Sequence, residues 1–362
     1  MTNDGGWQKN LIQIEPYVPG EQRSTPGLIK LNTTENPFPP SPAVWQAIRT
    51  FNPVDLIRYP DTTGEAFRNA VSECYGVEAD HVFVGNGSDE VLGFAFRAFF
   101  NGERPVLFPD ITYSFYSVWC RFFNIPYEPI PLDENFRILP EDYDRPNGGI
   151  VICNPNAPTG VGESRAFIEN FMKKQQSSVV IVDEAYVDFG CQTAVDLTKT
   201  YENLLVCRTL SKSYSLAGMR IGFCIGSKVL IDALNAVKNS FNSYTTNRIS
   251  VEVGLAALQD QVWFQEHIEK VICTRQRTVN ALRALGFLVF DSEANFIFAT
   301  HPDALAKDIY HDLSDHNILV RWFDKPRIHN YLRISIGTDE NMQKLMDRIS
   351  DFLAKKCGGR KK

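Results

Sequence analysis

The chain has 362 residues, 44% of them hydrophobic, and a formal net charge of -6. That length is enough for a large core and two lobes. The acidic balance argues against nucleic acid as the main partner, because no basic surplus exists to neutralise phosphates. No apolar run is long enough to span a bilayer, and the polar start MTNDGGWQKN has no apolar stretch of the secretory kind. A cytoplasmic protein, free of membrane and nucleic acid, is the expectation.

In chain order, SPAVWQAIRTF opens a helix, with Ser41 as cap and Pro42 in the first turn. HVFVG reads as a strand and DEVLGFAFRAFF as a helix. PVLF is a strand and TYSFYSVWCRFF a helix. GIVICN is a strand and ESRAFIENFMKKQ a helix. SVVIVDE, NLLVC and IGFCIG are further strands. This alternation predicts an α/β lobe with a mostly parallel, doubly covered sheet. From about Val229 the pattern turns helical, and VEVGLAALQDQVWFQEHIEKVICTRQRTVNALRALG has no proline to interrupt it. FLVF, NFIFAT, a helix near ALAKDIYHDLSDH, ILVRWF, YLRISIG and a last helix near NMQKLMDRISDFLAK make a smaller α/β lobe. The segment before Leu31 is too short for a domain and is assigned to that lobe. The expected division is a large domain over 31–250 and a small one from 1–30 and 251–362.

Eight cysteines are scattered without a C-x-x-C pair, and Cys153, Cys207 and Cys224 sit inside apolar runs. They read as reduced core thiols. The histidines form no H-x-x-x-H or H-E-x-x-H pattern, and His311 and His316 are badly spaced for one helical face, so no metal site is expected. The basic tail AKKCGGRKK reads as a frayed end rather than a binding arm.

The stretch TLSKSYSLAGMRIGF places Lys212 among small hydroxylated residues at the mouth of one strand and Arg220 at the start of the next. A loop lysine is ordinarily just solvated. Three features weigh against that here. Asp183 ends the apolar run VVIVD, where strands of a parallel sheet face a ligand crevice, and a carboxylate there needs a cation or donor. Its bland role is a helix cap. The functional role is to pair with a protonated ring nitrogen, with Tyr186 in reach of the same ring's oxygen. The run VFVGNGSDE ends a strand in Gly85-Asn86-Gly87 and begins a helix, so backbone amides can approach an anion. Ser88 as a simple cap is the alternative. Arg220, Thr209 and Ser211 supply the fork of donors that a dianionic phosphate needs. One lysine, one aspartate and one anion seat at strand ends match the needs of pyridoxal 5'-phosphate: a Schiff-base lysine, a partner for the pyridinium nitrogen and a phosphate cradle.

NPNAPTG, DEAYVDF and TLSKSYSLAGMRIG, in that order along the chain, resemble the signature blocks of the fold-type I pyridoxal-phosphate-dependent aminotransferase family. KLNTTENPFPPSP, IRYPD, GNGSDE and PDITYSFY narrow the resemblance to its histidinol-phosphate aminotransferases, over nearly the whole chain. The resemblance implies a homodimer with each active site at the subunit interface. It implies that Lys212 binds the cofactor and moves the proton, that Asp183 holds the ring nitrogen protonated and that Tyr186 bonds the ring oxygen. Gly87, Ser88 and Asp89, chiefly through backbone amides, then contact the phosphate with Thr209, Ser211 and Arg220. Tyr113 stacks on the ring, although ordinary helix packing would also explain it. Tyr59 reaches a phosphate from the neighbouring subunit, or is a turn residue before Pro60.

One position departs from the family. Ala157 stands where asparagine often bonds the ring oxygen; either Asn156 reaches the ring by a shifted backbone, which is the preferred reading, or Tyr186 and water suffice. On the substrate side the resemblance gives Arg333 the carboxylate of glutamate or 2-oxoglutarate and the phosphate of histidinol phosphate. Arg321 assists, with a salt bridge as its alternative, and Tyr17 lies near the substrate or packs the N-terminus. The expected reaction is transamination between L-histidinol phosphate and 2-oxoglutarate. The rivals are an aromatic-amino-acid aminotransferase, a threonine-phosphate decarboxylase, a cofactor-binding regulator without activity, and a nicotinamide dehydrogenase, whose glycine motif is not found.

Overall fold

The computed structural model describes residues 6–359, with side chains as far as Lys356. The residues of the terminal stretches MTNDG and RKK lie outside that range, so the readings of both ends remain expectations. In chain order the strands are β1 (Ile29–Lys30), β2 (Val82–Gly85), β3 (Val106–Pro109), β4 (Tyr127–Ile130), β5 (Gly149–Cys153), β6 (Val180–Asp183), β7 (Leu204–Thr209), β8 (Gly222–Gly226), β9 (Leu288–Val289), β10 (Phe296–Thr300), β11 (Ile318–Leu319), β12 (Arg321–Trp322) and β13 (Leu332–Ser335). The helices are α1 (Pro42–Thr50), α2 (Glu65–Tyr75), α3 (Ser88–Phe99), α4 (Phe115–Phe123), α5 (Arg165–Lys174), α6 (Lys228–Phe241), α7 (Arg248–Gln259), α8 (Gln261–Ala284), α9 (Ala306–Asp315) and α10 (Asp339–Gly359).

Seven strands form one sheet in the order β2-β8-β7-β6-β5-β3-β4. β4, β3, β5, β6 and β7 run parallel, while β8 is antiparallel to both β7 and β2. The sheet is therefore mostly parallel. Its central strands β5, β6, β7 and β8 are buried at every position, which explains their unbroken apolar runs. The order reverses between β3 and β5, and such a reversal opens a crevice at the carboxyl ends of the strands. A second, antiparallel sheet has the order β12-β13-β10-β9. β1 pairs with β11, which ties the N-terminal segment to this later part of the chain.

Local chemistry sets the element ends. The Ser41 hydroxyl accepts from the Val44 N–H at the start of α1, and Ser227 does the same for Leu230 in α6. The long helical run is not continuous. Asp260 accepts from the Trp263 N–H and so starts α8 directly after α7. ILVRWF divides into β11 and β12 because Ile318 pairs with β1 and Arg321 with β13. Helix α2 and edge strand β4 have no counterpart among the sequence-predicted elements. The burial of β4 is confined to Ile130 at its end, so no apolar run marks it.

Candidate active site

An open cavity of about 880 Å³ lies at the carboxyl ends of β5, β6 and β7 and is lined by residues from both sheets. Asp183, the last residue of β6, is 3% exposed. Its carboxylate accepts the Tyr116 hydroxyl at 2.7 Å and the Ala185 N–H at 3.2 Å. Burial pushes its pKa up to about 6, and those two hydrogen bonds oppose the rise. Two residues past the end of β7 stands Ser211, followed by Lys212. The Lys212 Nζ donates to the Thr33 carbonyl at 3.2 Å and to Thr34 Oγ1 at 2.7 Å. Asn36 Nδ2 holds the backbone carbonyls of Lys212 and Ser213, each at 3.1 Å. Burial, reinforced by the Arg333 charge, lowers the Lys212 pKa to about 8. The amine lies 5.6 Å from the centroid of the Tyr186 ring. The Tyr186 hydroxyl is 3.2 Å from Thr34 Oγ1, and burial raises its pKa to about 12.

The anion seat forms where β2 gives way to α3. Gly87 has φ +88, a conformation that favours glycine, and a Cβ there would sit 2.6 Å from Arg220 Nη2. No side chain caps α3, which leaves its first-turn N–H groups to receive an anion. Gly222 at the start of β8 backs the seat so closely that a Cβ would lie 2.2 Å from Ser88 N. Arg220 adopts the left-handed conformation with φ 53. Its Nη2 reaches Asp89 Oδ2 at 3.3 Å, and Tyr113 donates to Asp89 Oδ1 at 2.8 Å. The Thr209 hydroxyl donates to the Ile221 carbonyl and accepts from Ser211 N–H.

Opposite this wall stand two arginines in register, Arg321 of β12 against Arg333 of β13. Arg333 Nη2 donates to the Asn32 carbonyl at 2.9 Å, while its buried Nε has no partner. Its guanidinium lies 5.3 Å from the Phe296 ring and 5.8 Å from that of Phe323. Arg321 donates only to the carbonyls of Val18 and Pro19. Among the described residues neither arginine pairs with a carboxylate. Tyr17 lines the same cavity and stacks on Phe115 with centroids 4.4 Å apart.

Asp183, Tyr186, Lys212, Ser88, Asp89, Tyr113, Thr209, Ser211, Arg220, Arg321, Arg333 and Tyr17 all line this cavity, and Gly87 adjoins it through Arg220. Two candidates do not. Asn156 is turned inward: its Nδ2 donates to the Ile111 carbonyl and Thr159 Oγ1, and its Oδ1 accepts from Thr112. Ala157 lines the cavity instead, so the replacement expected for the ring-oxygen contact departs from what the backbone delivers. Tyr59 is 74% exposed and stacks on Tyr244, outside the cavity of its own chain. Three contributors had no role in the sequence reading: Thr34, Asn36 and Tyr116. The first two belong to the quoted KLNTTENPF, and Tyr116 is one of many aromatics in α4, so only its contact with Asp183 distinguishes it.

The residues present fit pyridoxal 5'-phosphate. Among the described residues the Lys212 amine pairs with no carboxylate and the buried Asp183 carboxylate with no cation, and the Arg220 guanidinium, held by Asp89, stands at the α3 start. An aldehyde, a ring nitrogen that binds a proton, and a phosphate complement these three in turn. A lysine, a buried aspartate and an anion seat at the strand ends of such a sheet match the fold-type I aminotransferase class. The chain belongs to the class I and II aminotransferases, whose family model matches residues 26–349. It is 49% identical over 346 residues to the histidinol-phosphate aminotransferase of Acinetobacter baumannii, covering 95% of this chain and 96% of that one. With the enzyme of the same name from Clostridium botulinum it shares 50% identity over 349 residues, 96% of this chain and 99% of that one. The crystal structure of histidinol-phosphate aminotransferase from Sinorhizobium meliloti in complex with pyridoxal-5'-phosphate superposes with a TM-score of 0.81 at 25% identity, covering 88% of this chain and 89% of that one.

Proposed function

We propose that this chain is a histidinol-phosphate aminotransferase of histidine biosynthesis. It exchanges an amino group between L-histidinol phosphate and 2-oxoglutarate, giving imidazole acetol phosphate and L-glutamate, with pyridoxal 5'-phosphate as cofactor. The observation that carries the reading is the facing pair Arg321 and Arg333, without a carboxylate partner and with one buried donor unpaired. Two cations opposite each other in a sheet repel unless an anion lies between them. The two amino donors present a phosphate in one case and carboxylates in the other, and a guanidinium fork accepts both.

When bound, the cofactor supplies an aldehyde that joins amines and a ring that draws electrons from the bonds of the attached carbon. Lys212 would hold the cofactor through its amine and, once freed by the substrate, would carry the proton between the substrate carbon bearing nitrogen and the cofactor's C4′. Its lowered pKa keeps a larger share of the amine neutral near physiological pH, as a base requires. Asp183 holds the proton on the ring nitrogen through opposite charge in a buried setting. Tyr186 donates to the ring oxygen. Gly87, Ser88, Asp89, Thr209, Ser211 and Arg220 seat the phosphate, and Tyr113 flanks the ring. Arg333, aided by Arg321 and Tyr17, orients the substrate.

The same reading includes a homodimer in which Tyr59 reaches the partner's site. Its support is the exposed apolar run around Tyr59, with Ile57 77% exposed. It also includes the division into a large domain over 31–250 and a small one from 1–30 and 251–362, which is supported by the separate ranges of the two sheets. A cytoplasmic location is part of it as well. No helix among the described residues is long and apolar enough to cross a membrane, and the described cysteines are free, including Cys207 and Cys224, which face each other across β7 and β8.

The test is a titration of the purified, cofactor-loaded chain. L-histidinol phosphate should bleach the cofactor's visible band stoichiometrically, and 2-oxoglutarate should restore it. Bleaching by aromatic amino acids but not by histidinol phosphate would reassign the substrate. Release of carbon dioxide from threonine phosphate would make the chain a decarboxylase.

A further inference from the structure

Thr34 is 1% exposed and has φ 58, a left-handed conformation that a β-branched residue rarely adopts. Strain of this kind persists only where its surroundings impose it, and it gathers at functional sites. Two bonds to Thr34 impose it here, and a third fixes the facing lysine. The Thr34 N–H donates to Ser335 Oγ at 3.0 Å, the Thr34 carbonyl accepts from Asn295 Nδ2 at 2.9 Å, and Asn36 clamps the backbone of Lys212. Glycine or asparagine would meet that conformation with less strain. What threonine adds is a hydroxyl.

The bonding of that hydroxyl has one consistent direction. Its single proton goes to the Thr33 carbonyl at 2.7 Å. Both lone pairs are then left to accept: Lys212 Nζ donates to one at 2.7 Å, and the Tyr186 hydroxyl lies 3.2 Å away. A neutral amine has two N–H bonds and one lone pair. The Thr33 carbonyl and Thr34 Oγ1 take the two N–H bonds. The lone pair is therefore left for the cavity that Lys212 lines.

We propose that Thr34 is a positioning residue, whose hydroxyl holds the Lys212 amine so that the nitrogen lone pair faces the cofactor and substrate. The proposal rests on the reading of Lys212 as the cofactor-binding lysine. It assigns the hydroxyl of Thr34 a role in the attack of that amine on the cofactor aldehyde, a step in which a C=N bond forms and water leaves. The charged groups around Lys212 include Arg333, Glu35, Asp89, Arg220 and Asp183, and changes at Thr34 leave all of them in place.

The experiment measures covalent capture rather than turnover. The full chain, stripped of cofactor, is mixed with pyridoxal phosphate, and formation of the Lys212 adduct is followed by absorbance and by borohydride trapping with peptide mass spectrometry. Affinity for pyridoxamine phosphate, which has no aldehyde, is measured in parallel. Thr34→Val and Thr34→Gly should slow capture about tenfold with unchanged pyridoxamine phosphate affinity, whereas Thr34→Ser should keep the wild-type rate. Capture at the wild-type rate in Thr34→Val or Thr34→Gly would overturn the proposal. So would a Thr34→Ser as slow as Thr34→Val, or a matching loss of pyridoxamine phosphate affinity. If Thr34→Val does not fold, Thr34→Gly carries the test, because the left-handed backbone suits glycine. Histidinol phosphate takes no part. Failure of the wild type to capture at Lys212 would refute the cofactor assignment, whereas an altered substrate would leave this measurement untouched.

Discussion

Asp183 is a charge buried for a partner that the polypeptide does not supply. Its pKa is raised from 3.8 to about 6, chiefly by burial. Between those two values the native state holds a proton that the unfolded chain releases. The native state is thus favoured at low pH, and that advantage is lost as pH rises through about 6. Roughly two units correspond to a loss of about 3 kcal/mol. The cofactor-free wild type should therefore lose stability from pH 4.5 to 6.5 relative to Asp183→Asn, which has no carboxylate to ionise. Denaturation midpoints of the two proteins at both pH values measure the difference, and parallel curves would contradict it. In the loaded enzyme the order reverses: Asp183→Asn should lose activity by orders of magnitude, because the preorganised anion beside the ring nitrogen is gone. A helix-capping carboxylate would produce neither result.

At the scale of elements, β12 and β13 are the unusual pair. Strand pairs normally keep like charges apart, yet Arg321 faces Arg333 here, with aromatic rings rather than carboxylates around them. Arg333→Lys keeps the charge and loses the planar fork. Removing a charge-assisted hydrogen bond costs about 1.5–3 kcal/mol, so kcat/KM should fall roughly ten- to a hundredfold with each amino donor. Cofactor affinity should stay within about twofold, since the α3 start and Arg220 form a separate anion seat. Single-turnover rates with histidinol phosphate and with glutamate measure the two half-reactions. A loss confined to glutamate would make Arg333 a carboxylate site alone and move the phosphate to Arg321.

For the whole molecule the question is where Tyr59 acts. It stands in an exposed apolar segment with Val54, Leu56 and Ile57, stacked on Tyr244 and away from its own cavity. If the site is shared between two copies, a heterodimer of Tyr59→Phe and Lys212→Ala subunits contains one site with both residues intact. Mixing the two weak or inactive proteins should restore up to about a quarter of wild-type activity, given random exchange into dimers with one good site of two. No recovery after subunit exchange has been verified by mass spectrometry would overturn the shared site.

Some of this was legible in residues read one after another. The strand runs ending at Gly85, Asp183 and Thr209 are apolar because both faces of the sheet are covered, and this burial leaves a mark on local composition. The same runs point to Lys212, Asp183 and Arg220, because polar residues at the ends of buried strands have few reasons to be there. Other features depend on groups distant in the chain. The inward turn of Asn156 follows from acceptors at Ile111 and Thr159 that local sequence does not bring together. The facing of Arg321 and Arg333 needed a strand register, and ILVRWF gave no sign that its two halves join different sheets. The hold of Thr34 on Lys212 spans 178 residues and rests on a left-handed backbone that Ser335 and Asn295 impose. The sequence by itself determined the strand-and-helix alternation and the chemical types at the strand ends, because burial and charge act residue by residue. Tertiary structure alone decided which donors and acceptors meet, because a hydrogen bond depends on the position of both partners.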